Sequence, residues 1–338
     1  MGVHIADILI KHELTLSEIQ GKVAVDAYNT LYQFLSIIRQ KDGTPLMDSH
    51  GRVTSHLSGL FYRTCNLLEK GIRPVFVFDG KPSDLKRHTL ESREERKQTA
   101  EKKFEEAKKA GREDEMRLYA QQTVRLRKHM VEESKQLCRL MGIPVVQAKS
   151  EGEAQCAIMC REGLVDATAS QDYDSLLFGS PVLIKNITIA GRRKLPRRNR
   201  YTEIVPERLD LQENLNALGI TYEKLVWLGL LAGTDFDQGI KGIGAKKALK
   251  LVREHDSMDA ILNKLGVEMD WMPVEALFRN PPATPVTKDE LKLLEPHREN
   301  IISFMMERDF SKERVQSALA RAFKEPTDTT QNKLSKWL

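Results

Sequence analysis

Short runs of β-branched and aromatic residues alternate, in the first half of the chain, with stretches whose apolar positions repeat at helical spacing. Four such runs are KVAVD (22–26), RPVFVFD (73–79), GIPVVQA (142–148) and VDATAS (165–170). Alternation of strands with helices is typical of α/β folds in which parallel strands build a central sheet. The pattern therefore predicts a mostly parallel central sheet flanked by helices.

The pattern changes between residues 81 and 135, where charged residues dominate, apolar anchors are few and Gly111 interrupts the run. It predicts long exposed helices, and a merely solvated helical hairpin is the alternative to a functional segment. From about residue 223 onward the pattern predicts short helices. The final stretch, EPTDTTQNKLSKWL, is polar and is predicted to be a flexible tail.

Composition narrows the class of protein. The 338 residues are 41% hydrophobic and carry a formal net charge of +5, which fits a folded protein that could bind nucleic acid. No CxxC pair occurs, and no apolar run reaches the roughly 18 residues of a membrane span. With no signal peptide and no transmembrane segment, we expect an intracellular protein without a membrane partner.

Acidic residues follow strand after strand of the predicted sheet, and one more follows an apolar helix. Ligands of parallel α/β sheets gather beyond the carboxyl ends of the strands, so these carboxylates should converge at one edge. Their mutual repulsion requires cations, and oxygen ligands suit Mg²⁺ or Mn²⁺ better than zinc. The seven acids are Asp26, Asp79, Glu151, Glu153, Asp172, Asp174 and Asp235.

Each acid also has a structural explanation. Ser150 and Glu153 have the spacing of a capping box, and Asp26 and Asp172 could each cap the helix that follows. Repetition favours the metal site, because helix caps do not require acids at the end of one strand after another.

Basic residues form the second group of candidates. Lys86 and Arg93 lie seven residues apart, hence on one helical face, where they could hold a scissile phosphate or be solvated charges. The turn GIKGIG (239–244) could bring backbone N–H groups close to a phosphate, and a plain interhelical turn is its competitor. The arginine-rich run KNITIAGRRKLPRRNR (185–200) could neutralise a phosphate backbone or remain a solvated loop.

Several phrases of the chain, spread over essentially its whole length, closely resemble the flap endonucleases, particularly the compact archaeal type. They are VDAYNTLYQFL, RQKDGTPLMDSHGRVTSHLSGLFYRT, VFVFDGKP, EGEAQ, SQDYDSLLFGSP, AGTDF and GIKGIGAKKAL. The resemblance implies a PIN-like 5′ nuclease fold with a helical arch insertion and a helix–hairpin–helix-like DNA-binding element. It also implies a Mg²⁺-dependent 5′ flap endonuclease and 5′-3′ exonuclease acting on branched DNA in Okazaki-fragment maturation and long-patch base excision repair.

The same resemblance implies a division of the chain. Residues 1–98 would form an N-terminal nuclease region, and residues 116–257 an internal nuclease region with the helix–hairpin–helix element. Residues 99–115 would link them within an arch of about 81–135, through which a single-stranded 5′ flap threads. Residues 258–325 would be a C-terminal helical region packing on the core, and 326–338 a flexible tail.

Site residues follow from the resemblance as well. Asp26, Asp79, Glu151 and Glu153 would hold one Mg²⁺, and Asp172, Asp174 and Asp235 a second, with Mn²⁺ as a substitute. Lys86 and Arg93 would be catalytic together with Asp174, and a monovalent cation such as K⁺ would sit at GIKGIG. The implied DNA contacts are Gly2, Tyr32, Arg39, Thr54, Gly239, Lys241, Gly242, Gly244, Lys246, Lys247, Arg308 and Phe310.

Among these contacts, Tyr32 would stack on a base near the cut, and Thr54, Arg308 and Phe310 would accommodate a one-nucleotide 3′ flap. The tail matches a box that binds a sliding clamp (PCNA). Its expected anchors are Gln331, Leu334, Trp337 and Leu338, the last standing where an aromatic residue is common. The protein is expected to be a monomer.

The implied mechanism is two-metal hydrolysis, in which the ions activate a water and neutralise charge while Lys86 and Arg93 stabilise the transition state. One rival is a DNA-structure-binding clamp adaptor without hydrolysis, which needs a degraded acid cluster. Another is an RNA-directed PIN-like nuclease, which would usually lack GIKGIG and the clamp box.

Overall fold

The computed structural model of the chain describes residues 2–40, 43–189, 191–194 and 201–323. The strands in these ranges are β1 (His12–Glu13), β2 (Gly21–Asp26), β3 (Ile72–Phe78), β4 (Val145–Gln147), β5 (Ala167–Ala169), β6 (Val182–Lys185), β7 (Gly191–Lys194), β8 (Tyr201–Ile204) and β9 (Glu207–Asp210). The α-helices are α1 (Ala27–Ile37), α2 (Ser55–Glu69), α3 (Arg87–Lys109), α4 (Glu113–Gln122), α5 (Lys128–Leu140), α6 (Gly152–Arg161), α7 (Asp174–Leu177), α8 (Leu211–Leu218), α9 (Tyr222–Ala232), α10 (Ala245–Glu254), α11 (Met258–Leu265), α12 (Met272–Arg279), α13 (Arg298–Met306) and α14 (Lys312–Ala322).

The main sheet has the strand order β1-β9-β6-β5-β2-β3-β4, and β7 pairs with β8 in a separate hairpin. Strands β4, β3, β2, β5 and β6 run parallel, whereas β9 is antiparallel to both β6 and β1. Successive strands wind away from β2 in one direction through β3 and β4, then in the other through β5 and β6. The chain thus reverses its winding between β2 and β5, and the predicted mostly parallel sheet is confirmed.

Both faces of the central strands are buried. In β2, Val23 and Val25 belong to one core cluster and Ala24 to another, and in β3 the residues Phe76 and Val77 divide in the same way. Residues of α1, α2, α5, α13 and α14 cover the first face, and α6 covers the second. Burial on both faces explains why these strands read as nearly continuous apolar runs in the sequence.

A further core cluster joins helices α7 to α12 with the N-terminal segment. Val3 and Ile5 are fully buried in it, beside Leu177 of α7 and Leu231 of α9. This packing fixes the start of the chain next to the carboxyl end of β5. No helix in the described ranges is long and apolar enough to cross a membrane.

The predicted long exposed helices are α3 and α4, which form a hairpin around Gly111 at φ 65°. Only Ala100 and Ala107 are buried among the residues of α3. The next helix, α5, differs because Val131 and Leu137 are buried in the main core. The exposed helical segment therefore ends before residue 135, the expected limit of the arch.

Candidate active site

The acids lie at the carboxyl edge of the sheet, around the point where its winding reverses. Asp26 is the last residue of β2, Asp79 directly follows β3, and the other strand-associated acids follow β4 and β5. Asp235, in the segment after α9, lies at the same edge. Its carboxylate and that of Glu151 are both within 4 Å of Lys86 Nζ. The structure thus brings together all seven acids that the sequence singles out.

Backbone N–H groups hold two of the acids in place. The Gly152 nitrogen donates to Asp79 Oδ1 at 2.7 Å, and the Val3 nitrogen donates to Asp174 Oδ1 at 2.6 Å. A Cβ atom on residue 152 would lie only 2.6 Å from that Asp79 oxygen, so any larger residue there would displace the Asp79 carboxylate. Local backbone geometry, rather than other side chains, orients these carboxylates.

Asn29 and Gly2 hold two further acids. The Asn29 nitrogen donates to Asp26 Oδ1 at 3.0 Å, and its side-chain Nδ2 donates to Asp172 Oδ2 at 3.0 Å. The Gly2 nitrogen donates to Asp172 Oδ1 at 3.2 Å. Asp26 therefore does cap α1, as the structural explanation held, and it also lies in the acid cluster. Sequence reasoning missed Asn29, because no pattern distinguishes it from any other polar residue in a first helical turn.

The other capping explanations are wrong. Helix α6 has Glu151 as its N-cap without a side-chain capping bond, and the Glu153 carboxylate accepts a hydrogen bond from the Ser170 hydroxyl instead. Helix α7 has Tyr173 as its N-cap, so Asp172 caps no helix. Helix capping therefore does not account for the presence of Glu153 and Asp172 in the acid cluster.

Burial among like charges raises the pKa of several of these acids. Burial, and then a neighbouring carboxylate, raise the pKa of Asp79 to about 6. Burial and nearby carboxylates raise the pKa of Asp174 to about 7. The pKa values of Asp26 and Glu153 lie well above the usual carboxyl value for the same reasons. Ionising the buried carboxylates of the cluster costs free energy, and bound cations would offset this cost.

The donors of the cluster fit divalent cations that prefer oxygen. Within the described ranges, no three His, Cys, Asp or Glu side chains converge closely enough to hold one ion by themselves. A closed cage is not needed for Mg²⁺, which keeps several waters and binds through one or two carboxylates. Buried carboxylates with raised pKa values are oxygen donors of the kind that Mg²⁺ and Mn²⁺ prefer.

Lys86 and Arg93 lie at the rim of the cluster, and both are within 4 Å of the same Asp235 oxygen. Lys86 Nζ is 2.5 Å from Glu151 Oε2 and 3.7 Å from Asp235 Oδ2, and Arg93 Nη2 is 2.5 Å from the same Asp235 oxygen. Burial alone would lower the pKa of Lys86, but the surrounding carboxylates outweigh it and raise the pKa. The sequence indicated that these cations share a helical face, but it did not indicate these ion pairs.

The GIKGIG turn lies between α9 and α10 and depends on its glycines. Gly239 and Gly242 have φ values of 66° and 84°, and a Cβ atom on Gly239 would lie 2.4 Å from the Gly233 nitrogen. The Gln238 side-chain nitrogen lies 2.8 Å from a ring nitrogen of His88, which connects the turn to the base of the arch. Gly244 is the N-cap of α10. The predicted lysines that stand exposed on this element are Lys241, Lys246 and Lys247.

Two of the other predicted DNA contacts are occupied by contacts within the protein. Lys97 Nζ lies 5.2 Å from the ring centroid of Tyr32, on the side of the arch. The Arg39 guanidinium donates to the Gly43 carbonyl at 2.7 Å and to the Ser36 carbonyl at 3.1 Å. Tyr32 is half-buried, with Lys97 as one of its neighbours.

The residues predicted to accommodate a 3′ flap also have contacts within the protein or are buried in it. Arg308 forms an ion pair with Glu133 at 3.0 Å, Phe310 lies 6.4 Å from Tyr62 between ring centroids, and Thr54 is buried at the start of α2. Their DNA contacts stay a prediction, as do those of Gly2 and the glycine-rich turn.

The predicted clamp anchors Gln331, Leu334, Trp337 and Leu338 lie outside the described residues. So do residues 190 and 195–200 of the arginine-rich run (185–200), in which residues 191–194 form β7.

Comparison with known proteins gives a consistent family. The XPG N-terminal domain matches residues 1–100 and the XPG I-region matches residues 142–235. Flap endonuclease 1 of Pyrococcus furiosus is 51% identical over 342 aligned positions, covering 100% of this chain and 99% of the relative.

Two solved structures extend the likeness to the fold. Flap endonuclease-1 from Methanococcus jannaschii superimposes with a TM-score of 0.74 at 37% identity, covering 95% of this chain and 98% of that one. The catalytic core of Rad2 in complex with DNA substrate has a TM-score of 0.66 at 25% identity, covering 93% and 96%. The resemblance read from the sequence and the predicted nuclease fold are therefore confirmed, and the chain belongs to the flap endonuclease 1 family of metal-dependent DNA nucleases.

Proposed function

We propose that the protein cleaves the 5′ flap of branched DNA near its junction with duplex, as an endonuclease and a 5′-3′ exonuclease. Okazaki-fragment maturation and long-patch base excision repair are the processes that supply such substrates. The observation that carries this proposal is the buried acid cluster with Lys86 and Arg93 at its rim. The relatives named flap endonuclease and the Rad2 complex with DNA substrate support it.

The cations at the rim act on the scissile phosphate. In the free protein Lys86 and Arg93 are paired with Glu151 and Asp235, which keeps their side chains ordered at the mouth of the cluster. A phosphodiester that enters offers them a second anion, and preorganised cations there stabilise the charge that develops during cleavage. Their charge also orients the phosphate toward the acids.

The acids divide into two sets in this proposal, Asp26, Asp79, Glu151 and Glu153 on one side and Asp172, Asp174 and Asp235 on the other. Two divalent cations, Mg²⁺ or Mn²⁺, would activate the attacking water and neutralise charge on the leaving oxygen when bound. Val3 and Gly152 keep the carboxylates of Asp174 and Asp79 oriented through their backbone N–H groups. Cleavage leaves a 5′-phosphate and a 3′-hydroxyl.

The hairpin of α3 and α4 is the proposed passage for the single-stranded flap. Helix α3 begins directly after Lys86, so the hairpin stands beside the acid cluster. Lys97 of α3 contacts the ring of Tyr32, so the hairpin lies over α1. In this proposal Tyr32 stacks on a base near the cut. Residues 1–98 and 116–257 supply the two halves of the site, with 99–115 linking them, and residues 258–325 support the core.

The duplex is held at two other places in this proposal. The turn around Gly239, Gly242 and Gly244, with the exposed Lys241, Lys246 and Lys247, grips the phosphate backbone together with a monovalent cation such as K⁺. Arg308, Phe310 and Thr54 accommodate a one-nucleotide 3′ flap, and Arg39 and Gly2 add contacts near the cut. Of these side chains, Arg308 has a guanidinium that is ordered by Glu133.

The tail is proposed to bind a sliding clamp through Gln331, Leu334, Trp337 and Leu338, while the nuclease itself acts as a monomer. Apolar anchors on a polar segment usually mark a partner site. Deletion of residues 330–338 should leave cleavage of a short flap duplex unchanged without clamp and should abolish stimulation by added clamp. A truncated protein that the clamp still stimulates, or one already impaired without it, would show that the tail has another role.

A comparison of matched substrates tests the proposed activity. With Mg²⁺, a duplex with a 5′ flap and a one-nucleotide 3′ flap should be cut at the junction much faster than the same duplex with a 3′ flap alone, and faster than single-stranded RNA. Binding without cleavage would support the clamp-adaptor reading, and preferred cleavage of RNA would support an RNA-directed nuclease.

A further inference from the structure

Asn29 touches carboxylates from both proposed metal sites. It is the third residue of α1, and its backbone nitrogen donates to Asp26 Oδ1 at 3.0 Å. Its side-chain amide donates to Asp172 Oδ2 at 3.0 Å. Asp26 ends β2 and Asp172 follows β5, two strands that pair in parallel. One residue therefore ties together acids that arrive from two neighbouring strands.

We propose that Asn29 is a positioning residue that fixes the Asp172 carboxylate for the divalent ion of the second acid set. This inference rests on the proposed metal sites. Each carboxylate oxygen has two acceptor positions, so Asp172 can accept from Asn29 and still bind a cation. A hydrogen bond from a neighbouring group typically orients a metal ligand and strengthens metal binding about 10-fold to 100-fold.

The two hydrogen bonds of Asn29 can be separated by mutation. Replacing the side chain with alanine removes the donor to Asp172 but leaves the backbone N–H that holds Asp26. A positioning role therefore predicts that Asn29→Ala weakens one of two bound ions and spares the other. Loss of a merely structural residue would instead lower thermal stability without selecting one ion.

Gln33 provides a matched control. It lies one turn further along α1, is half-buried like Asn29, and lines the same small cavity of about 10 Å³. Its side-chain oxygen accepts a hydrogen bond from Thr188 Oγ1 at 3.0 Å, and Gln33 is not a member of the acid cluster. Gln33→Ala therefore reproduces the loss of a polar side chain from this helix without altering the support of Asp172.

The experiment is a Mn²⁺ titration of the full chain without DNA, followed by electron paramagnetic resonance of the free ion, with melting temperatures measured in parallel. Asn29→Ala should weaken one Mn²⁺ by about 10-fold or more and leave the other within roughly threefold. Gln33→Ala should bind both ions like the wild type, and the two variants should melt within a few degrees of each other without metal.

A second comparison removes the dependence on a single variant. If Asn29 acts through Asp172, adding Asn29→Ala to Asp172→Ala should not change the affinity of the remaining ion. Wild-type affinity in Asn29→Ala, or equal weakening of both ions, would overturn the role of Asn29 while leaving the metal sites intact. A wild-type chain that binds no Mn²⁺ would overturn the metal sites themselves and this inference with them.

Discussion

The acid cluster and the arch are both dense in charge, but they differ in the burial of the charges and in the sign of their neighbours. In the cluster Asp26 and Asp174 are buried, and their closest charged neighbours include other acids. In the arch the exposed Arg125 pairs with Glu94 at 2.7 Å and with Glu101 at 3.0 Å. The first region concentrates charge of one sign away from water, whereas the second neutralises its own charge in solvent.

This difference separates functional charge from solvated charge. Buried like charges raise the pKa values of Asp79 and Asp174 to about 6 and about 7, so the cluster is incomplete without cations. Exposed opposite charges contribute little to stability and are screened by salt. Mutations in the cluster should therefore change catalysis greatly, and mutations of arch ion pairs should change little.

The largest effect is expected for Asp174→Ala, which removes a buried carboxylate held by the Val3 backbone N–H. Single-turnover cleavage of flap DNA should fall by at least about a thousandfold, while binding of flap DNA stays within a few fold, because no phosphate-gripping cation is lost. Asp166→Ala is the matched control, since this exposed acid flanks the opposite end of β5. Cleavage by Asp174→Ala near the wild-type rate would contradict the proposed two-metal site.

The next effect concerns the rim cations. Lys86→Ala and Arg93→Ala should each slow single-turnover cleavage by about a hundredfold, because a preorganised cation at the scissile phosphate stabilises the transition state by several kcal/mol. Lys102→Ala, which removes an exposed cation from the same helix as Arg93, should change the rate less than about threefold. If the Lys86 and Arg93 variants altered only DNA affinity, both would be ordinary backbone contacts.

The dependence of stability on pH gives a smaller effect with a definite sign. The folded-state pKa values of Asp79 and Asp174, about 6 and about 7, lie above their usual value, so the folded protein retains protons that the unfolded chain releases. The stabilisation present at low pH is therefore lost as pH rises from the usual carboxyl pKa of 3.8 through the folded-state values of about 6 and about 7. Acids whose pKa is lowered, such as Asp48 and Glu133, are already ionised above pH ~5 in both states.

Metal-free protein should accordingly melt at a lower temperature at pH ~8 than at pH ~5.5, by roughly 3 °C or more. Added Mg²⁺ should raise the melting temperature more at the higher pH, because protons no longer compete for the carboxylates. Differential scanning fluorimetry in EDTA and in Mg²⁺ measures both. An equal effect of Mg²⁺ at the two pH values would argue against cation binding by these acids.

The smallest effect is expected in the arch. Arg125→Ala breaks two exposed ion pairs, and its melting temperature should stay within about 2 °C of wild type, with any difference vanishing at high salt. The melting temperatures of Arg125→Ala and of the wild type are compared at low and at high NaCl concentration. A much larger change would mean that the arch charges are structurally essential, and the contrast with the acid cluster would be lost.

The sequence was sufficient to predict the sheet and the meeting of the acids, because both follow from the order of apolar runs and acids along the chain. Nearly continuous apolar runs along β2 and β3 mark strands buried on two faces, and an acid at the end of each strand must arrive at the same edge. The order of strands β4, β3, β2 and β5 could not be read from these patterns, because it depends on how the crossovers pack.

Side-chain partners were less predictable. The spacing of Lys86 and Arg93 indicates a shared face, but their pairing with Glu151 and Asp235 depends on segments 65 and 142 residues further along the chain. The same holds for Lys97 over Tyr32 and for Asn29 beside Asp172. Ser150 and Glu153 have the spacing of a capping box, yet the tertiary contact of Glu153 with Ser170 replaced it.

The central claim is that the buried acid cluster cuts DNA only when divalent cations complete it. The most direct test is single-turnover cleavage of a 5′-labelled double-flap duplex in Mg²⁺ and in EDTA, with binding of the same DNA measured by fluorescence anisotropy in both. We predict cutting at the junction in Mg²⁺ and none in EDTA, with DNA bound in both solutions. Cleavage that persists in EDTA, or no cleavage in Mg²⁺ by protein that binds the flap, would contradict this account.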